Sequence, residues 1–61
     1  MSKEELLESM EYLSWHMATV SGEIKYFAGF NKGLVSHADE LKGASEIVKA
    51  WIEGIKDDTK L

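Results

Sequence analysis

Leu6, Met10, Leu13, Met17, Val20, Ile24 and Phe27 follow one another at intervals of 4, 3, 4, 3, 4 and 3 residues. An apolar series with this interval lies on one stripe of an α-helix and calls for a facing surface to cover it. There is no proline to interrupt it, and no strand-like alternation competes with it. The series predicts one helix over about residues 2–30, roughly 42 Å long at 1.5 Å per residue. A second series, Leu34, Ala38, Leu41, Ser45, Val48, Ile52 and Ile55, repeats the 4-3 interval. It predicts a second helix over about residues 36–56, with Ala44, Ile47 and Trp51 widening the stripe on one side.

The helix ends are written in the polar residues. Ser2 followed by Glu5 has the spacing of a capping box. Glu4, Glu5 and Glu8 place negative charge in the first turns, where the helix dipole favours it. Asn31-Lys32-Gly33 carries the residues that accept a left-handed conformation after a helix. Ser36, with Asp39 three residues on, is the expected N-cap of the second helix, with Val35 folding over its first turn. Lys42, Glu46, Lys49 and Glu53 alternate in sign three and four residues apart, as on an exposed helical face. Residues 57–61 read as a frayed tail. A break at Ser21-Gly22 would instead give three shorter helices, but the first stripe runs through it unbroken.

Two helices of similar length joined by a short turn form an antiparallel hairpin. The fold class is all-α, in one domain covering residues 1–61. A chain of 61 residues buries a small fraction of its surface, and small domains rely on disulfides, metals or oligomerisation. With no cysteine and only two histidines, oligomerisation is the remaining remedy. The expected assembly is a homodimeric four-helix bundle or a larger helical oligomer. Its core is expected to hold the first series together with Leu34, Leu41, Val48, Trp51, Ile52 and Ile55.

Composition narrows the partners. Seven scattered basic residues stand against eleven acidic ones, giving a net charge of −4. Nucleic-acid modules carry clustered Lys and Arg, so DNA or RNA binding is disfavoured. No apolar run approaches the roughly 18 residues of a membrane span, and the start of the chain lacks the pattern of a signal peptide. A cytoplasmic location is the expectation.

On a helical wheel, Tyr12, Trp15, Thr19, Gly22, Tyr26 and Phe30 share one sector, nearly opposite the apolar stripe. Glycine costs about 1 kcal/mol against alanine inside a helix, so Gly22 and Gly29 ask for a reason. A missing Cβ lets a ring or a backbone lie close. Tyr and Trp beside such a floor make a candidate strip for a partner protein, because these rings dominate interface energetics. The competing reading packs the strip inside the assembly.

Chemistry is poorly provided for. His37 and Glu40, three apart, offer two ligands and no more, so no metal or cofactor is expected. His16, beside aromatic residues, is a candidate pH-sensitive contact. No serine stands in a nucleophile motif and no glycine-rich phosphate loop occurs, so no enzymatic activity is expected. Met10 and Met17 soften the first stripe, since methionine adapts its shape.

The length and heptad layout, an opening MSKEE, the string His37-Ala38-Asp39-Glu40-Leu41 and a closing Asp57-Asp58 resemble the Rop family of plasmid RNA modulators. That resemblance implies a homodimeric helical hairpin that binds RNA through its paired first helices. The matching face here includes Glu8, Tyr12, His16 and Glu23, and its two glutamates are unsuited to phosphate. The expectation is therefore a small modulator of the phage or plasmid type, which oligomerises and occludes a partner protein. A Rop-like RNA binder is one alternative. Another is an oligomer that sequesters a small ligand such as a nucleotide, with Lys25 as the anion contact.

Overall fold

The computed structural model describes residues 1–57. Two helices make up the fold, α1 (Lys3–Ala28) and α2 (Lys32–Lys56), packed side by side as an antiparallel hairpin. Of the expected tail at 57–61, only Asp57 is among the described residues, where it caps α2.

α1 begins as its sequence suggests. The Glu5 amide donates to the Ser2 hydroxyl at 3.1 Å, and the Glu5 carboxylate accepts from the Ser2 amide at 3.4 Å. The helix is continuous through Ser21 and Gly22, so the three-helix alternative does not hold. It stops at Ala28 because Gly29 adopts φ +57°, ψ −114°, a conformation open mainly to glycine. Gly29 is thus a turn residue and not a helical one, and its place in the chain needs no binding partner to explain it.

α2 starts four residues before the expected position. The N-cap is Asn31, whose side-chain oxygen accepts the Leu34 amide at 3.1 Å. Ser36 does not cap. It lies in the second turn and donates its hydroxyl to the Glu40 carboxylate at 3.3 Å. Asparagine serves either end of a helix, and here one short connection, Gly29-Phe30-Asn31, ends one helix and starts the next.

The two helices meet along different kinds of side chain. On α2 the contact stripe is the expected one. Ala38, Ser45, Val48 and Ile52 are buried, and Leu34, Leu41 and Ile55 are half-buried. On α1 the contact stripe is turned by about one residue from the expected series. Ser14, Ser21 and Ala28 are buried at its centre, flanked by half-buried Leu7, Met10, Met17 and Ile24. Small side chains at these positions let two helices approach closely, since interaxial distance follows the side chains at the contact. The Ser14 hydroxyl donates to the Ser45 carbonyl at 3.1 Å, and the Ser21 hydroxyl donates to the Ala38 carbonyl at 2.6 Å. Seven residues along α1 thus answer to seven residues back along α2. The two bonds fix the antiparallel register, and they satisfy hydroxyls that would otherwise be buried without partners.

The hairpin is a slab, 47 × 18 × 11 Å along its principal axes. Its two broad faces differ. Across one, Lys25 reaches Asp39 at 2.9 Å and Lys56 reaches Glu11 at 3.6 Å. The other carries Leu6, Leu13, Val20 and Phe27 from α1, beside Ala44, Ile47 and Trp51 from α2. Leu13, Phe27 and Trp51 are 47%, 84% and 58% exposed in the single chain. Among the described residues, the buried hydrophobic ones are Ala28, Ala38, Val48 and Ile52.

Candidate functional site

The third exposed surface is the outer flank of α1, away from both α2 and the broad apolar face. Tyr12, Trp15, Thr19, Gly22 and Tyr26 lie along it, all exposed. Phe30 was expected to extend this line as a helical residue. It sits instead in the turn and is fully exposed, so it leaves the row.

The upper part of the flank is organised by ring contacts. Tyr12 and His16, one turn apart, stack with centroids 5.8 Å apart and planes 7° from parallel. Tyr12 and Trp15 are tilted, with centroids 6.1 Å apart. The Thr19 hydroxyl donates back to the Trp15 carbonyl at 3.0 Å, a local bond common for threonine in helices. The next turn is bare. A Cβ built on Gly22 would meet nothing within 4 Å. Tyr26, almost wholly exposed, closes the row below it. Tyr12 and Trp15 thus stand together on one side of the bare turn at Gly22 and Tyr26 stands on the other, all exposed on one helix. Such a surface can bury rings against a partner.

Neither histidine gathers a ligand set. His37 Nδ1 lies 3.6 Å from Glu40 Oε1 on an exposed turn, and no group of three or more metal-ligating side chains occurs among the described residues. Lys25, the expected anion contact, has its ammonium against Asp39. Along the outer row of α2, Lys42 and Lys49 approach Glu46 at 3.3 and 3.6 Å, and Lys56 approaches Glu53 at 3.8 Å. The Lys42 hydrogen bond first, and then the Lys49 charge, hold the Glu46 carboxyl below its ordinary range.

The feature that sequence reasoning missed is the pair of buried serines, Ser14 and Ser21. Their signal was present in the 7-residue interval Leu7, Ser14, Ser21, Ala28, but it is carried by size and not by hydrophobicity. Their burial leaves the larger stripe, Leu6 to Phe27, beside the helix contact and not inside it.

Comparison with protein families, with characterised proteins and with solved structures finds no match to this chain. Among the described residues no helix is long and apolar enough to cross a membrane.

Proposed function

We propose that this chain is a small non-enzymatic binding protein, which self-associates as a homodimeric four-helix bundle and occludes a partner protein through the outer flank of α1. One observation carries the reading. Tyr12, Trp15 and Tyr26 stand exposed around the open backbone of Gly22, on a surface that neither α2 nor the broad apolar face uses. Exposed rings of this kind, on a rigid support, are what protein interfaces concentrate their binding energy in. Singly exposed apolar residues are ordinary on a protein surface, whereas three large rings in one row are a patch.

The test separates the flank from the rest of the molecule. Partner protein is captured by the wild type, identified, and its affinity measured against the Trp15→Ala and Tyr26→Ala variants. Loss of Trp15 should weaken the complex at least about 30-fold, the cost typical of a central aromatic anchor. Sedimentation of the free variants should be unchanged. An affinity indifferent to both substitutions defeats the reading. So does a captured nucleic acid whose affinity falls steeply with salt, the behaviour of a phosphate-binding surface.

A further inference from the structure

We propose that the outer flank of α1 takes a cationic segment of its partner protein, with arginine or lysine side chains laid on the open rings and held by Glu8 and Glu23. This rests on the binding role assigned to the flank above and adds the chemistry of what it binds.

Elsewhere on the hairpin the glutamates are matched. Glu11 reaches Lys56, Glu46 reaches Lys42 and Lys49, and Glu53 reaches Lys56. Glu40 accepts from Ser36 and lies against His37, and Glu5 closes the capping box. Among the described residues, the glutamates whose side chains have neither an ion pair nor a hydrogen bond are Glu4, Glu8 and Glu23. Glu4 is in the first turn of α1, where the helix dipole favours a carboxylate. That effect falls off within a turn, so it does little for Glu8 and nothing for Glu23 near the other end.

Both unmatched carboxylates fall in the sector of the rings. Glu8 stands one turn before Tyr12, and Glu23 stands one turn before Tyr26. The two lysines of α1 are turned elsewhere. Lys25 crosses to Asp39, and Lys3 lies on the far side of the helical wheel. The flank therefore carries negative charge beside exposed rings, with no amine of its own to balance it.

Two unlike features thus ask for the same group. The face of an aromatic ring is the negative part of its quadrupole, and it attracts a cation within about 6 Å. A carboxylate one turn away holds that cation by charge and by hydrogen bonding. Tyr12 gives one face to His16, whereas Tyr26 is almost wholly exposed. Arginine meets both demands at once, since its plane stacks on a ring while its edge donates to a carboxylate. An acidic segment would meet charges of its own sign. A purely apolar one would cover Glu8 and Glu23 without pairing them, which is costly. Glu8 and Glu23 are about 22 Å apart along the helix at 1.5 Å per residue. The segment therefore carries cations at two places that far apart, with an apolar side chain between them over the bare turn at Gly22.

Three synthetic helical peptides of about 20 residues, long enough to span both carboxylates, serve as probes. They share their apolar residues and carry arginine, lysine or glutamate at the polar positions. Binding to the whole chain is followed by NMR at the indole signals of Trp15, on the flank, and Trp51, on the broad apolar face. The expected result is a shift at Trp15 and not at Trp51, with the arginine peptide bound at least about tenfold tighter than the glutamate peptide at low salt. Glu8→Gln combined with Glu23→Gln should weaken the arginine peptide at least about tenfold, and the loss should shrink at high salt. Glu46→Gln combined with Glu53→Gln makes the same change of net charge on α2 and should leave the affinity within about twofold. Equal binding of the arginine and glutamate peptides, an equal loss from the α2 pair, or a shift at Trp51 alone overturns the proposal. Spermine that moved the Trp15 signal as strongly at equal charge would mark a site for small cations, and overturns it too. Trp15→Ala keeps the two readings apart. If the arginine and glutamate peptides bind alike and both weaken in that variant, the cationic partner fails and the flank stands. If an arginine peptide is indifferent to it, both fail.

Discussion

α1 carries two stripes of period seven, and they are made oppositely. Leu7, Ser14, Ser21 and Ala28 are mostly small and lie against α2. Leu6, Leu13 and Phe27 are large and lie open on the broad face, with Val20 half-buried in the same stripe. By hydrophobicity the second stripe should have won the contact. It did not, because a contact between two long helices is a matter of distance as well as burial. Small side chains bring the backbones close, and the two serine hydroxyls then reach carbonyls of the facing helix. The contact within the hairpin is close and partly polar. The face beside it is broad and apolar. The inner stripe sets register and the outer stripe leaves apolar surface exposed on the single chain.

This difference also explains what could be read from the sequence. The stripe of α2 was legible in full, because its apolar series and its contact series coincide. The stripe of α1 was legible as a period but not as a direction. Met10, Met17 and Ile24 belong to both versions, while the choice between Leu13 and Ser14 turns on a close approach that hydrophobicity does not encode. The capping box at Ser2 was legible because both of its halves are local. The start of α2 was misplaced because Asn31, read as a residue that ends a helix, caps the next one instead, and Ser36 offered a plausible but unused cap. Of the candidate flank, Tyr12 through Tyr26 was placed correctly by the helical period. Phe30 was not, because Gly29 ends the helix one residue before it.

Three consecutive residues sharpen the comparison, since they belong to three surfaces. Ser21 faces α2, Val20 borders the broad face, and Gly22 is on the open flank. The largest effect is expected from Ser21→Leu. It forces a large side chain into the close contact and removes the bond to Ala38, costing about 3 kcal/mol in all. Urea unfolding followed by circular dichroism measures it. Val20→Leu puts the same side chain one residue away, at a half-buried position, and should change stability by less than about 1 kcal/mol. Equal losses at the two positions would break the distinction between the stripes.

Gly22→Ala should go the other way. The position is helical, exposed and free of neighbours within 4 Å, so alanine should stabilise the free protein by about 1 kcal/mol. The same unfolding experiment checks it. A loss of stability would show that the flank is packed in the free protein, as the reading that buries the strip inside the assembly requires. A gain in stability together with weaker partner binding would instead place the partner against the bare backbone at Gly22.

The smallest effect belongs to the charged row of α2, and it tests whether charge takes any part in holding the hairpin. Glu46 is exposed and flanked by Lys42 and Lys49, which hold its carboxyl below the ordinary value in the folded chain. A carboxyl lowered by folding adds stability at pH values above its unfolded value, and that addition fades as pH falls through the folded value. The sign is therefore a slight loss of stability on acidification, confined to the acid range. Exposed pairs are weak and screened by salt, so the loss should disappear at high ionic strength. Carboxyl titration by NMR should place Glu46 below an ordinary glutamate, and Lys42→Gln should bring it back towards one. If Lys42→Gln instead destabilised the hairpin as much as Ser21→Leu, charge and not close approach would be holding α1 to α2. The small stripe would then lose the role assigned to it.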